Sequence, residues 1–311
     1  MSFITVENLK TQYKTENGIV HAVDDVSFSV EKGESVGIAG ESACGKSTLG
    51  LSMMRILQGG KIVSGDILLD GKSILKISES EFAKKYRWKE IAMVFQGAMN
   101  SLDPVFTVEQ QFNEVLKQHH YEGDFDKRID EIVNAVGLNQ QVLKKYPHEL
   151  SGGMKQRIII SMALLLKPKF VIADEPTTAL DVLVQAQIIN LLKKLKKEGM
   201  SIMLITHDLA IISEIAEKIG IMYAGKMVEF GDSKEIYKNP KHPYTQALLE
   251  SIPSLRGKKE IKYIKGNPPT LINPPDGCRF YDRCPHAMEK CKKDPPKFKT
   301  DSGFTYCWLY E

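Results

Sequence analysis

The stretch Gly40-Glu41-Ser42-Ala43-Cys44-Gly45-Lys46-Ser47 constrains this chain more than any other. It fits G-x-x-x-x-G-K-[ST], a pattern whose backbone N–H groups converge on phosphate. Ahead of it, Ser35-Val36-Gly37-Ile38-Ala39 reads as a short buried strand. Behind it, Leu49, Met53, Ile56 and Leu57 recur at helical spacing. Strand, glycine-rich turn and helix form the context in which the pattern carries its chemistry. The start of the helix adds partial positive charge facing the same anion. Lys46 is placed to reach the β- and γ-phosphates of a nucleotide, and the Ser47 hydroxyl, with Thr48 beside it, to meet Mg²⁺. The chain is expected to bind a nucleoside triphosphate.

Length and charge bound what surrounds this loop. The 311 residues suffice for one large domain with an appendage, or for two smaller domains. Lys and Arg number 42 against 39 Asp and Glu, a formal net charge of +3, which argues against wholesale nucleic-acid binding. The opening Met1-Ser2-Phe3-Ile4-Thr5-Val6-Glu7 lacks a basic region followed by an apolar core, so no signal peptide is read. The longest near-continuous apolar run, Ile158 to Leu166, falls far short of the about 20 residues of a membrane span. A soluble, cytoplasmic protein is expected, meeting any membrane through partners.

Residues 1–35 alternate like strands, in Phe3 to Val6 and again in Ala22 to Val30, around a turn at Glu16-Asn17-Gly18. Tyr13 lies between them and reads equally well as an adenine-stacking aromatic or as a half-buried strand residue. A strand from Gly65 closes on the turn Asp70-Gly71. The continuous apolar run Ile91 to Phe95 suits a doubly buried parallel strand and delivers Gln96 at its carboxyl end, where open α/β sheets meet ligands. Residues 97–149 are mostly helical in pattern, with helices over Val108 to Lys117 and Arg128 to Val136, the latter capped by Gly137. This insert is a candidate partner-contacting lobe.

Ser151 is a good N-cap for the apolar helix running to about Leu166, and Gly152 and Gly153 leave bare backbone at its start. Phe170-Val171-Ile172-Ala173-Asp174-Glu175 is an apolar strand ending in two carboxylates, a Walker B arrangement. Asp174 suits the Mg²⁺ shell and Glu175 the polarisation of an attacking water. Asp181 precedes a helix over about Val184 to Lys197, whose terminal lysines complement the helix dipole before Gly199. The buried strand Ser201 to Thr206 ends in His207, a candidate γ-phosphate contact at the same sheet edge. A helix from Leu209 to Ile219 and a hairpin around Ala224-Gly225 complete the pattern.

The order of phosphate loop, Gln96, Leu150-Ser151-Gly152-Gly153, Asp174-Glu175, Asp181 and His207 resembles the ATP-binding subunit of an ABC transporter over roughly residues 1–235. The resemblance implies an α/β fold. Its P-loop NTPase core is a RecA-like parallel sheet with an antiparallel β subdomain and a helical insert, the helical subdomain covering about 97–166. It implies ATP and Mg²⁺ as ligands, with Gly40 to Thr48 cradling the phosphates, and Ser47, Gln96 and Asp174 around the metal. Tyr13 becomes the adenine-stacking aromatic, and Lys46, Gln96, Glu175 and His207 the catalytic set. Ser151, Gly152, Gly153 and Asp181 would serve the site of a neighbouring ATPase subunit bound head to tail.

Two features narrow the resemblance. Met154-Lys155-Gln156-Arg157 is similar to the Gly-Gly-Met-Arg-Gln-Arg run of oligopeptide/dipeptide and nickel importers. Asn239 to Leu249 also looks like that group's C-terminal extension, placed here at 236–311. Such importers are expected to pair two paralogous ATPase subunits with two transmembrane permeases and an extracytoplasmic binding protein, with no nucleic acid. The subunit would then be peripheral, on the cytoplasmic face of the membrane. Ala43 departs from the glycine often found at its position; since alanine tolerates positive φ poorly, a helical or extended backbone is expected there. A nickel or oligosaccharide cargo, or a non-transport ABC ATPase working on DNA or ribosomes, are the competing functions.

Cys278, Cys284, Cys291 and Cys307 form C-x5-C-x6-C-x15-C, and four thiolates suit tetrahedral Zn²⁺ or a [4Fe–4S] cluster. Short C-x2-C pairs are absent, and the resemblance implies the cluster. Its expected role is to fold a proline-rich tail too short to bury much core.

Overall fold

The computed structural model describes residues 2–178, 180–251 and 263–311. The chain divides into two compact units, 1–31 with 35–75 and 205–311, and 32–34 with 76–204. The C-terminal extension does not separate as a unit of its own; it clusters with the N-terminal strands.

In the first unit, β1 (Ser2–Thr15) and β2 (Gly18–Glu31) form a long antiparallel pair. Their inward residues Ile4, Val6, Leu9, Val23, Val26 and Val30 are essentially inaccessible, and the alternation slips by one residue at Asn8 and Asp25, both at positive φ, where the register of the pair shifts. The short strand β3 (Val36–Ala39) is buried at every position and leads through the phosphate loop into α1 (Lys46–Met54). A buried hydroxyl pair, Thr11 Oγ1 and Ser52 Oγ at 2.8 Å, ties β1 to α1. β4 (Gly60–Leu69) pairs antiparallel with β1 and turns at Asp70-Gly71 into β5 (Lys72–Ser73).

The second unit opens with α2 (Glu79–Lys85), a short helix the sequence pattern did not suggest. Ser78 caps it, accepting from the Glu81 N–H. Its acidic first turn and basic last turn complement the dipole. β6 (Ile91–Val94) runs parallel to the later strand Phe170–Asp174, across the predicted insert. That insert holds α3 (Val108–Gln118) and α4 (Phe125–Ala135), capped by Thr107 and Asp124. α5 (Gly152–Leu164) follows, then β7 (Phe170–Asp174), α6 (Val182–Lys197) and β8 (Ser201–Ile205). The strands lie in the order β8-β7-β6, each fully buried.

Back in the first unit, α7 (Leu209–Ile215) is four residues shorter than the sequence pattern suggests. The Glu217 and Lys218 N–H groups both donate to the Ser35 carbonyl, drawing the chain into β9 (Lys218–Tyr223) parallel to β3. Ile219 is therefore a buried strand residue, not part of the helix face. β10 (Lys226–Asp232) returns antiparallel through Ala224-Gly225, as expected. α8 (Ser233–Lys238) and α9 (Pro243–Glu250) begin the C-terminal extension, whose two short strands β11 (Phe298–Lys299) and β12 (Phe304–Thr305) extend the sheet from β10.

Candidate nucleotide site and cysteine cavity

The phosphate loop is held by steric limits as much as by hydrogen bonds. At Gly40, φ is 152°, and a Cβ would stand 2.1 Å from the Met222 carbonyl oxygen. At Gly45, φ is 101°, and a Cβ would stand 2.0 Å from the Ala22 carbonyl oxygen. Only glycine fits either position. Ala43, expected to be helical or extended, instead takes φ 60°. It is exposed, and it lies in the turn between the two glycines, where the backbone is left-handed.

Lys46 is buried, and its ammonium donates to the Gly40 carbonyl at 2.7 Å and the Glu41 carbonyl at 2.9 Å. Burial pushes the neighbouring Cys44 thiol up, against the pull of Lys46, so Cys44 stays neutral. No side chain caps α1, so the N–H groups of its first turn are available to an anion. Ser47 and Thr48 sit in that turn, both part-exposed.

Tyr13 is half-buried in β1, in register with Val20 and Gly60. Its ring lies so close over Gly60 that a Cβ there would fall 2.6 Å from it. His207 is exposed and follows Thr206, whose N–H donates to the Ile38 carbonyl of β3.

In the second unit, Ser151 caps α5 as expected, accepting from the Met154 N–H at 3.3 Å, and both Ser151 and Gly152 are exposed. A Cβ at Gly153 would meet both Val184 methyls at 2.9 Å, so α5 and α6 touch where only glycine fits. Asp174 is buried at the end of β7. Glu175 turns sharply, with φ 47°, and accepts from Thr178 Oγ1 at 3.0 Å. Such a strained carboxylate position is characteristic of functional sites. Gln156 Nε2 donates to the Pro176 carbonyl at 2.8 Å, tying the helix begun by Ser151 to the turn carrying Glu175. Asp181 caps α6 through the Val184 N–H at 2.9 Å, and beside it Val182 and Leu183 are 81% and 70% exposed. Gln96 is exposed two residues beyond β6.

The four tail cysteines, spread over 30 residues of sequence, line one cavity together with His242, His286 and Trp308. Burial raises the Cys278 thiol to about 12, and raises Cys284 and Cys307 as well. Among the described residues, no group of three or more His, Cys, Asp or Glu side chains is arranged to hold a metal ion. The expectation of a formed four-thiolate metal centre is corrected to this: soft sulfur donors gathered in one cavity, not closed around a point.

Sequence reasoning missed Arg283 and Tyr244. Arg283 pairs with Glu41 of the phosphate loop, and the Tyr244 hydroxyl accepts from the Glu41 N–H at 2.9 Å. A run such as Tyr281-Asp282-Arg283 carries no signal of so distant a partner.

A strand-loop-helix phosphate cradle, a capped Ser-Gly-Gly helix start and a buried Asp followed by a turned Glu together define an ATP-binding cassette ATPase. The ABC transporter family model matches residues 23–178, and the model for the oligopeptide/dipeptide transporter C-terminal region matches residues 228–291. The oligopeptide transport ATP-binding protein AppD of Bacillus subtilis is 45% identical, over 100% of this chain and 97% of that protein. OppD, the corresponding oligopeptide protein of Escherichia coli, is 43% identical over 95% of this chain and 89% of that one. The dimeric structure of MJ0796, a bacterial ABC transporter cassette, superposes with a TM-score of 0.67 at 29% identity, over 74% of this chain and 98% of that one. The chain belongs to the family of oligopeptide/dipeptide ABC transporter ATP-binding proteins.

The fold class read from sequence is thus correct, and so is ATP hydrolysis as the activity. Among the described residues no helix is long and apolar enough to cross a membrane.

Proposed function

We propose that this chain is the ATP-hydrolysing subunit that energises import of di- and oligopeptides through partner permeases, bound peripherally at the cytoplasmic face of the membrane. The observation that carries the reading is the match of a C-terminal oligopeptide/dipeptide region behind a full set of nucleotide residues in one chain. A second ATPase subunit, a paralogue, pairs head to tail with this one, and an extracytoplasmic binding protein delivers the peptide.

Each residue has a task in this reading. Tyr13 stacks on adenine, and residues 40–48 hold the phosphates by backbone N–H groups, with Lys46, positioned by its loop carbonyls, reaching the phosphate oxygens. Ser47, Gln96 and Asp174 carry hydroxyl, amide and carboxylate oxygens, hard donors of the kind Mg²⁺ prefers. When bound with ATP, Mg²⁺ neutralises phosphate charge. Glu175 accepts the proton of the attacking water, and His207 holds the γ-phosphate. Ser151, Gly152 and Gly153 touch the γ-phosphate on the opposite subunit, and Asp181 lies across that interface. Reconstitution with the permeases and the binding protein tests the reading. Peptide should stimulate ATP hydrolysis; stimulation by nickel or an oligosaccharide alone, or co-purification with ribosomes or duplex DNA, would replace it.

Four thiols lining one cavity suit a [4Fe–4S] cluster or Zn²⁺ by their donor chemistry, and the resemblance to peptide importers together with the lack of C-x2-C pairs favours the cluster. In this reading Cys278, Cys284, Cys291 and Cys307 hold a [4Fe–4S] cluster that stiffens the tail. Metal analysis and absorbance near about 400 nm on anaerobically purified protein test it. Zinc without iron would reverse the assignment.

A further inference from the structure

Glu41, second residue of the phosphate loop, is held at three points. Its carboxylate oxygens accept from Arg283 Nη1 at 2.7 Å and Nη2 at 2.9 Å, a planar two-bond fork. Its N–H donates to the Tyr244 hydroxyl at 2.9 Å, and its carbonyl accepts from Lys46 Nζ at 2.9 Å. Arg283 is itself fixed. Its side chain is 5% exposed, Nε donates to the Lys265 carbonyl at 2.9 Å, and Nη1 also donates to the Tyr223 hydroxyl at 3.1 Å. Both Arg283 and Tyr244 lie in the C-terminal extension, and Arg283 immediately precedes Cys284.

We propose that Arg283 is a positioning residue for ATP binding: by clamping Glu41 it sets the loop carbonyls that hold Lys46, making the C-terminal extension part of the nucleotide site. The inference rests on the reading that this loop binds ATP. Glu41 connects the two charges through its own backbone, so a shift of its carboxylate moves the carbonyl on which Lys46 rests. The fork is water-poor on the Arg283 side, where such a pair is least screened. The extension is therefore more than an appended label of the transporter group; it buttresses the loop from outside.

The test is ATP titration of the full-length chain with a fluorescent nucleotide, alongside KM and kcat in the reconstituted transporter. Glu41→Gln is nearly isosteric and leaves Arg283 packed; Arg283→Gln removes the other partner. Each should weaken ATP affinity about tenfold, and the double variant should be no weaker than either single one. Arg283→Lys should recover part of the loss, and KM should rise more than kcat falls. Lys292→Gln, which removes an exposed charge pairing with Glu289, should leave affinity unchanged. Unaltered affinity in both single variants, or losses that simply add in the double variant, would overturn the proposal alone. An unmodified chain that binds no ATP would overturn the functional reading and this one together.

Discussion

Arg128 Nε donates to the Leu165 carbonyl at 2.7 Å, and the same guanidinium donates through Nη2 to the Leu164 carbonyl at 2.8 Å. One buried arginine of α4 thus closes the last turn of α5, the helix that begins at Ser151. Helix C-termini leave carbonyls unpaired, and a cation there also meets the negative end of the dipole. Arg128→Met keeps the apolar volume but abandons both carbonyls. It should lower unfolding free energy by about 2–3 kcal/mol in urea denaturation. An unchanged midpoint would mean that water replaces the guanidinium without loss.

Ala43 occupies a left-handed backbone conformation that favours glycine. Ala43→Gly should raise unfolding free energy by about 0.5–1 kcal/mol, as relief of backbone strain exceeds the extra entropy of the unfolded chain. Gly40→Ala is the opposite case, since its Cβ would collide with the Met222 carbonyl. It should cost about 2 kcal/mol or more and weaken ATP binding. The same denaturation series reads both, and a destabilised Ala43→Gly would contradict the loop conformation.

In the proposed function Glu175 takes a proton from water, while the phosphate loop carries the binding contacts. Glu175→Gln should keep ATP affinity and reduce hydrolysis by about 100-fold or more. The ATP-bound subunits should then remain paired, which size-exclusion chromatography with ATP can read. Normal turnover of this variant in the assembled transporter would remove Glu175 from the role.

His119, at the end of α3 and 5.8 Å from the Trp88 ring, is held below the ordinary imidazole range by burial, then by Lys89 and His120. The unfolded chain therefore takes up more protons there as pH falls below about 6.5. Stability should decline from that pH toward the lower folded pKa and then level off. His119→Gln should flatten this part of the profile, measured as urea midpoints at successive pH values. An equal slope in the variant would assign the titration elsewhere.

The local chemistry of this chain was legible at unequal depth. Strands buried on all sides, such as 91–94 and the one that leads to Asp174, announce themselves as apolar runs because no polar face is needed. The cap Ser151 is readable because a side-chain oxygen bonds an N–H three residues on, whereas Asp181, read only as preceding a helix from about Val184, caps one that begins at Val182. The end of α7 was not readable, since nothing in residues 209–219 names Ser35 as the acceptor that breaks the helix. Nor was α2 marked out, although Ser78 and its charges follow ordinary capping chemistry.

By itself the sequence determined the phosphate loop, the two carboxylates Asp174 and Glu175 at the end of β7 and the Ser-Gly-Gly helix start, because each rests on residues close together in the chain, and the family, because the order of those motifs along the chain is itself a sequence property. Only the tertiary structure decided the left-handed turn at Ala43, the shared cavity of four cysteines and the clamp of Arg283 on Glu41. Those depend on which segments the fold brings together, and Glu41 and Arg283 are 242 residues apart. Local propensity acts over a few residues; a contact across that span exists only once the surrounding strands and loops are packed.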